Sequence, residues 1–226
     1  MIIYSKEQKL EDALMSFNPK NGGLDSQFME LAKYFLYGGY IHIQSEINGK
    51  KIERLLYIRE VEFYFYDETE KNKCSSKVYH RNGKYTNIPQ NERLPIGKYT
   101  HYFIPGTIYP HASGIDITFE NKDEKYRASA LIRAFSIIED GREELIYLKN
   151  NKSVSVDPRS TYVYEYLFEG FSIFSNTHYS IEWVDNWNMA PDTLIKKERI
   201  NFDDKDNEAP KKWRFIWTKY RSEENP

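Results

Sequence analysis

Ile58-Arg59-Glu60-Val61-Glu62-Phe63-Tyr64, IREVEFY, is a strand-like run that carries two glutamates. Period-two alternation sets Arg59, Val61 and Phe63 against Ile58, Glu60, Glu62 and Tyr64, so the second set shares one face of a strand. That face presents two carboxylates. If it meets solvent, Glu60 and Glu62 are ordinary surface residues. If it borders a pocket, Glu62 beside Tyr64 is a candidate general base. The whole run, Ile52 to Tyr66, is too long to stay flat, which predicts a bend or bulge near Glu62, a device common beside active sites.

Upstream, Tyr40, His42 and Gln44 oppose Ile41 and Ile43, and Asn48-Gly49 is the turn chemistry of a hairpin leading into IREVEFY. His42 reads as a strand residue rather than a ligand. Before it, Phe28, Leu31, Ala32, Phe35 and Leu36 recur at helical spacing, with Asp25 as the cap and Gly38-Gly39 as a left-handed stop. Lys6 to Phe17 predicts a short amphipathic helix, an accessory within residues 1–23 that ends at Asn18-Pro19 and Gly22-Gly23.

Downstream, Asp67 to Lys84 reads as a polar loop holding Cys74 and His80. Prolines then punctuate the chain and leave short strands at Tyr99 to Ile104 and Ile115 to Phe119. Ser129 to Ile138 is a nearly continuous apolar strand interrupted by Arg133, which must face solvent, pair with a carboxylate or line a polar cavity. Leu145 to Leu148, Ser180 to Val184 and Trp213 to Trp217 complete the strands. Ser160 to Phe168 divides between helix and strand, because Tyr162, Val163, Tyr164 and Tyr166 suit either.

The chain has 226 residues, 40% hydrophobic and 16% aromatic, and no repeat or composition break. The expectation is one α+β domain over 1–226: a curved, mostly antiparallel, barrel-like sheet with packed helices. One cysteine leaves no internal disulfide and fits a reducing compartment. MIIYSKEQKLED has no apolar leader core, and no run approaches about 18 apolar residues. A cytoplasmic monomer that does not enter a membrane is expected.

Net charge is −2, which argues against an all-round cationic surface. A local basic face could come from Lys211, Lys212, Arg214, Lys219 and Arg221, with Lys196, Lys197 and Arg199 upstream; the same run also reads as a solvated edge strand guarded by lysines. Five scattered histidines and one cysteine hold no metal-ligand spacing, so neither a metal nor a cofactor is expected. Phosphate-cradle and nucleophile-elbow motifs are absent. What remains is carboxylate chemistry with aromatic stacking.

Leu31 to Leu36 (LAKYFL), the Asn48-Gly49 hairpin and IREVEFY, followed by Phe103 to Tyr109 (FIPGTIY), Gly114 and Ala130 to Ala134 (ALIRA), resemble the methylpurine (3-methyladenine, alkyladenine) DNA glycosylases in kind and order. Pro210, Arg214 and Phe215 resemble that family's P-x-RF ending. The resemblance implies a monofunctional glycosylase that flips a damaged purine from duplex DNA and hydrolyses its N-glycosidic bond, as in base excision repair. It implies Glu62 as the base that activates water, with Tyr64, His80, His111, Glu120 and Arg133 around the extruded purine. Ser113 and Gly114 would face the DNA, with Lys211, Lys212 and Arg214 on its backbone.

The departures from the family are specific. Ser113 stands where the family has the tyrosine that fills the gap in the stack. Glu120 stands where an asparagine screens the purine, and Asp157-Pro158-Arg159-Ser160 replaces a G-P-G-K-L helix start. An alternative is a noncatalytic relative that binds a nucleobase, nucleotide or partner protein in the same cavity. A third reading is a hydrolase of free nucleosides or other N-glycosides, which needs the carboxylate but no duplex.

Overall fold

A computed structural model describes residues 9–67, 69, 102–111, 114–139, 142–147, 159–172, 174, 178–187, 194–199 and 212–217. The elements run α1 (Leu10–Met15), α2 (Leu24–Tyr37), β1 (Gly39–Ile47), β2 (Lys50–Asp67), β3 (Ile108–His111), β4 (Gly114–Thr118), β5 (Tyr126–Glu139), β6 (Arg142–Tyr147), α3 (Arg159–Phe168), β7 (Ser180–Asp185), β8 (Leu194–Lys197) and β9 (Arg214–Trp217). The architecture is α+β, and the strands join one antiparallel sheet. Its main order is β3-β4-β5-β2-β1-β7, with β6 on β5, β9 on β2 and β8 on β9.

This sheet is open rather than barrel-like. One edge of β2 is divided between β1, along Lys50–Leu56, and β9, at Glu60–Glu62, so the sheet branches there instead of closing. No described helix is long and apolar enough to cross a membrane.

The hairpin forms where Asn48-Gly49 predicts it. Ile47 pairs with Lys50, and the two turn residues take φ of 53° and 77°, the left-handed pair of a type I′ turn. The cap assignments of α2 are different from the sequence reading. Gly23 is the N-cap, and Asp25 instead accepts from Trp213 Nε1 at 2.6 Å and faces Lys196 Nζ at 3.0 Å, tying the helix start to β8 and β9. Gly38 stays right-handed at φ −80°, so it is not a left-handed stop. Its glycine is required by space: a Cβ there would lie 2.5 Å from Tyr34 O, and one at Gly39 would lie 2.1 Å from Val184 O.

Other strand expectations need correction. Tyr102–Ile104 is not a strand, because Pro105-Gly106 turns the chain immediately, and the hairpin partner of β4 is Ile108–His111. Segment 159–168 is helical, with Val163 and Leu167 one turn apart in the core. β8 was missed by the sequence reading; four residues are too few to show a period.

Two bulges govern β2. Ile58 pairs with Phe135 and Glu60 with Ala134, leaving Arg59 as an extra residue on β2; Glu60 then pairs with Ala134 and Val61 with Ile132, leaving Arg133 extra on β5. Each bulge offsets the other, so the register is restored beyond them. The first flips parity. Ile58 therefore lies on the face of Val61 and Phe63, not with Glu60 and Glu62 as strict alternation expects.

The apolar face of β2 and β5 meets α2. Phe28 stacks on Phe63 with centroids 4.8 Å apart, and Phe35 and Phe215 close around the same ring. Phe17, after α1, packs edge-on to Phe119. Tyr166 of α3 meets Phe135 on this face as well. The opposite face of the sheet carries the polar residues, and it too is buried.

Candidate functional site

Register alone assembles the site. Arg214 pairs with Glu62, Glu62 with Leu131, Leu131 with Asp116, and Asp116 with Tyr109, a cross-strand row over β9, β2, β5, β4 and β3. Directly opposed residues share a face. The next row is Tyr64, Ser129 and Thr118. Two carboxylates thus flank Leu131 on the face turned away from α2.

Glu62 has 0% exposure and Glu60 6%, so neither is a surface residue. Tyr64 donates its hydroxyl to Glu62 Oε1 at 2.5 Å. Burial pushes the Tyr64 phenol well above its ordinary value, and the neighbouring Glu62 charge adds to this, so it stays a donor. The β5 bulge brings Arg133 Nε to 3.7 Å from Glu62 Oε2. Arg133 is itself buried, and its Nε and Nη2 make no hydrogen bond among the described residues. Such donors are costly to leave unspent in a fold that does not use them.

Asp116 is a further buried carboxylate on this face. Ser129 Oγ donates to its Oδ2 at 3.0 Å, and His111 Nε2 lies 3.2 Å from its Oδ1. His111 stacks on Tyr109 at 6.3 Å, and Tyr109 meets Phe103 at 5.3 Å, so a short aromatic wall borders the row. Tyr164 of α3 donates to His111 O and to Gly114 O, clamping the start and end of the β3–β4 connection. Gly114 itself has φ 137°, in the range that favours glycine.

No protein-family model matches this chain, and no curated protein matches it. The site is therefore read from its own geometry.

The structure brings Glu62, Tyr64, Arg133 and His111 to one face of the sheet. Glu120 is engaged elsewhere: its Oε2 accepts from Phe103 N–H at 2.7 Å and from Arg127 Nη1 at 3.0 Å, while the Arg127 guanidinium covers the Tyr102 ring. Of the basic run, Arg214 pairs with Glu60, Lys196 with Asp25, and Arg199 is buried against the rings of Tyr64 and Trp213. Lys212 is exposed. Most of the described cations of that run are thus turned to the fold. His80, Ser113 and Lys211 lie outside the described residues, as do Cys74 and the segments 70–101 and 200–211.

Sequence reasoning missed Asp116, Ser129 and Tyr109 as site residues. The signal that could have found Asp116 is a lone aspartate within the apolar run Ile115-Asp116-Ile117, the same signal that marked Arg133. Arg59 was also missed as a structural group. Its guanidinium lies 4.0 Å from the Trp217 ring centre, and its Nε donates to Ser136 Oγ at 2.9 Å, so the bulged arginine is satisfied on the polar face.

Proposed function

We propose that this protein hydrolyses the N-glycosidic bond of a nucleobase, with Glu62 activating the water, as a divergent relative of the methylpurine DNA glycosylases acting on a flipped purine in damaged duplex DNA. The observation that carries the reading is the convergence on Glu62 of the Tyr64 hydroxyl and the Arg133 guanidinium, from two strands and through a bulge. A carboxylate oriented by a neutral phenol and faced by a cation suits a general base, which must accept a proton from water while the base departs. Arg133 offers further donors to a ligand, and Tyr64, Tyr109 and His111 offer flat surfaces against which an extruded base can stack. Flipping and stacking are what the resemblance of IREVEFY and ALIRA to that family implies, and the aromatic wall of Phe103, Tyr109 and His111 is suited to the stacking.

The test is single-turnover base release from duplexes carrying hypoxanthine, ethenoadenine or methylated purines, with wild type beside Glu62→Gln. Release by wild type and its loss in Glu62→Gln, with an unchanged circular-dichroism spectrum, is the expected result. Release that survives the substitution removes Glu62 from the role.

One observation favours a second reading, a noncatalytic binder of a nucleobase or nucleotide. The cations that a DNA enzyme would turn to phosphates are largely spent on Glu60, Asp25 and aromatic rings. Duplex binding with a steep salt dependence supports the enzyme, whereas absent or salt-insensitive binding supports the binder.

A further inference from the structure

β2 carries a second polar patch at its other end, beside the Asn48-Gly49 turn. Lys51, Glu53 and Leu55 are alternate residues of the strand and so share one face. Register extends that face sideways: Glu53 pairs with Gln44 and Gln44 with Ser180, while Leu55 pairs with Ile138. Directly opposed residues lie on the same side of the sheet. These six residues line a cavity of about 710 Å³, within the size range of small-molecule sites. The bulge at Arg59 puts it on the polar face that also carries Glu62, but roughly 30 Å along the strand at about 3.3 Å per residue. None of its lining residues belongs to the Glu62 site.

The groups in this cavity follow an order. Lys51 and Glu53 supply one charge of each sign on neighbouring positions of the face. Glu53 Oε1 faces His42 Nε2 at 2.7 Å, which leaves Oε2 as an acceptor. Ser180 Oγ donates to Gln44 Oε1 at 3.4 Å, which leaves the Gln44 amide nitrogen as a donor. Leu55 and Ile138, both half-buried, form an apolar floor beside this polar row. Ser45 lines the cavity as well; it is 2% exposed, and its Oγ makes no hydrogen bond among the described residues. A buried hydroxyl is costly to leave unspent.

We propose that this cavity binds a neutral glycoside, a hydroxylated sugar joined to an apolar aglycone, of which a nucleoside is one kind. A sugar hydroxyl both donates and accepts. Neighbouring hydroxyls therefore suit a carboxylate set beside an amide and an ammonium, as Glu53, Gln44 and Lys51 are. The aglycone covers Leu55 and Ile138 and removes them from water. The opposite charges of Lys51 and Glu53 balance, so a ligand with a net charge of its own meets no net attraction. This site stands apart from the function proposed above and does not rest on it.

The test is calorimetric titration of the full chain with adenosine and with phenyl glucoside, beside ribose, glucose, adenine and adenosine monophosphate. At least one of the two glycosides is expected to bind about 10-fold or more tightly than its separate parts, and the monophosphate no more tightly than adenosine. Which glycoside binds tells a nucleoside from a hexoside. Gln44→Ala and Lys51→Met, both at exposed positions, are each expected to weaken that binding by about 10-fold without moving the unfolding midpoint. Glu62→Gln is expected to leave it unchanged. Binding of neither glycoside by folded wild type, a sugar or adenine that binds as tightly as the whole, or a tighter monophosphate overturns the ligand class. Binding that survives Gln44→Ala and Lys51→Met but is lost in Glu62→Gln puts the ligand at the other site; it overturns this proposal and leaves the Glu62 reading standing.

Discussion

Replacing Arg133 by Met should expose how far Glu62 depends on it. The two groups lie 3.7 Å apart, with side-chain exposures of 6% and 0%. At about 4 Å and an effective dielectric near 20, opposite unit charges attract by about 4 kcal/mol, part of which offsets the desolvation of both. Removing one partner strands the other, so Arg133→Met should cost about 3–5 kcal/mol. Glu62→Gln keeps an oxygen for the Tyr64 hydroxyl but leaves Arg133 without its carboxylate, and should cost a comparable amount. The double variant has no stranded charge and should lose less than the sum of the singles by roughly 2–3 kcal/mol. Urea unfolding at pH 7, with m unchanged across the set, measures this coupling. Additivity within roughly 0.5 kcal/mol would refute it, and with it the claim that the β5 bulge serves to bring a cation to Glu62.

Three further outcomes follow from the same geometry. Burial raises Tyr64, and raises Tyr126 and Tyr179 to about 12, so all three hold their protons in the fold at pH values where the unfolded chain has lost them. Stability should therefore be fully present below about pH 10, fall as pH rises from there toward 12, and fall less steeply in Tyr126→Phe; a flat alkaline profile in wild type would contradict the burial of these phenols. Gly39→Ala should destabilise by roughly 3 kcal/mol or disrupt β1–β7 pairing, since its Cβ would meet Val184 O at 2.1 Å, whereas Gly23→Ala, with open space around it, should stay close to wild type in a thermal melt. Phe63→Ala should cost about 3–5 kcal/mol by chemical denaturation, because its ring is the common contact of Phe28, Phe35 and Phe215.

Much of the fold was legible in local pattern. Phe28 to Leu36 repeat at helical spacing and bury that stripe, Asn48-Gly49 turns as its chemistry requires, and Arg133 within an apolar strand was marked as needing solvent, a carboxylate or a cavity, of which it has the carboxylate. The cap of α2 was misread because Asp25 can serve either as a cap or as an acceptor for a distant partner, and Trp213 lies 188 residues away. Glycines 38 and 39 were read as a left-handed helix stop when the requirement is room against Tyr34 and Val184.

The amino-acid order by itself determined which residues could share a face: Val61, Phe63 and Phe65 on one side of β2, Glu60, Glu62 and Tyr64 on the other, because consecutive side chains in a strand alternate. Tertiary structure alone decided that Ile58 leaves that polar set, since a bulge at Arg59 shifts parity without altering the pattern of residue types. It also decided that Arg214, Glu62, Leu131, Asp116 and Tyr109 stand in one row. Alternation is a local property of each strand, whereas the row depends on which strands pair and in what register, and that is set by packing between segments that can be distant in the chain, as Glu62 and Arg214 are.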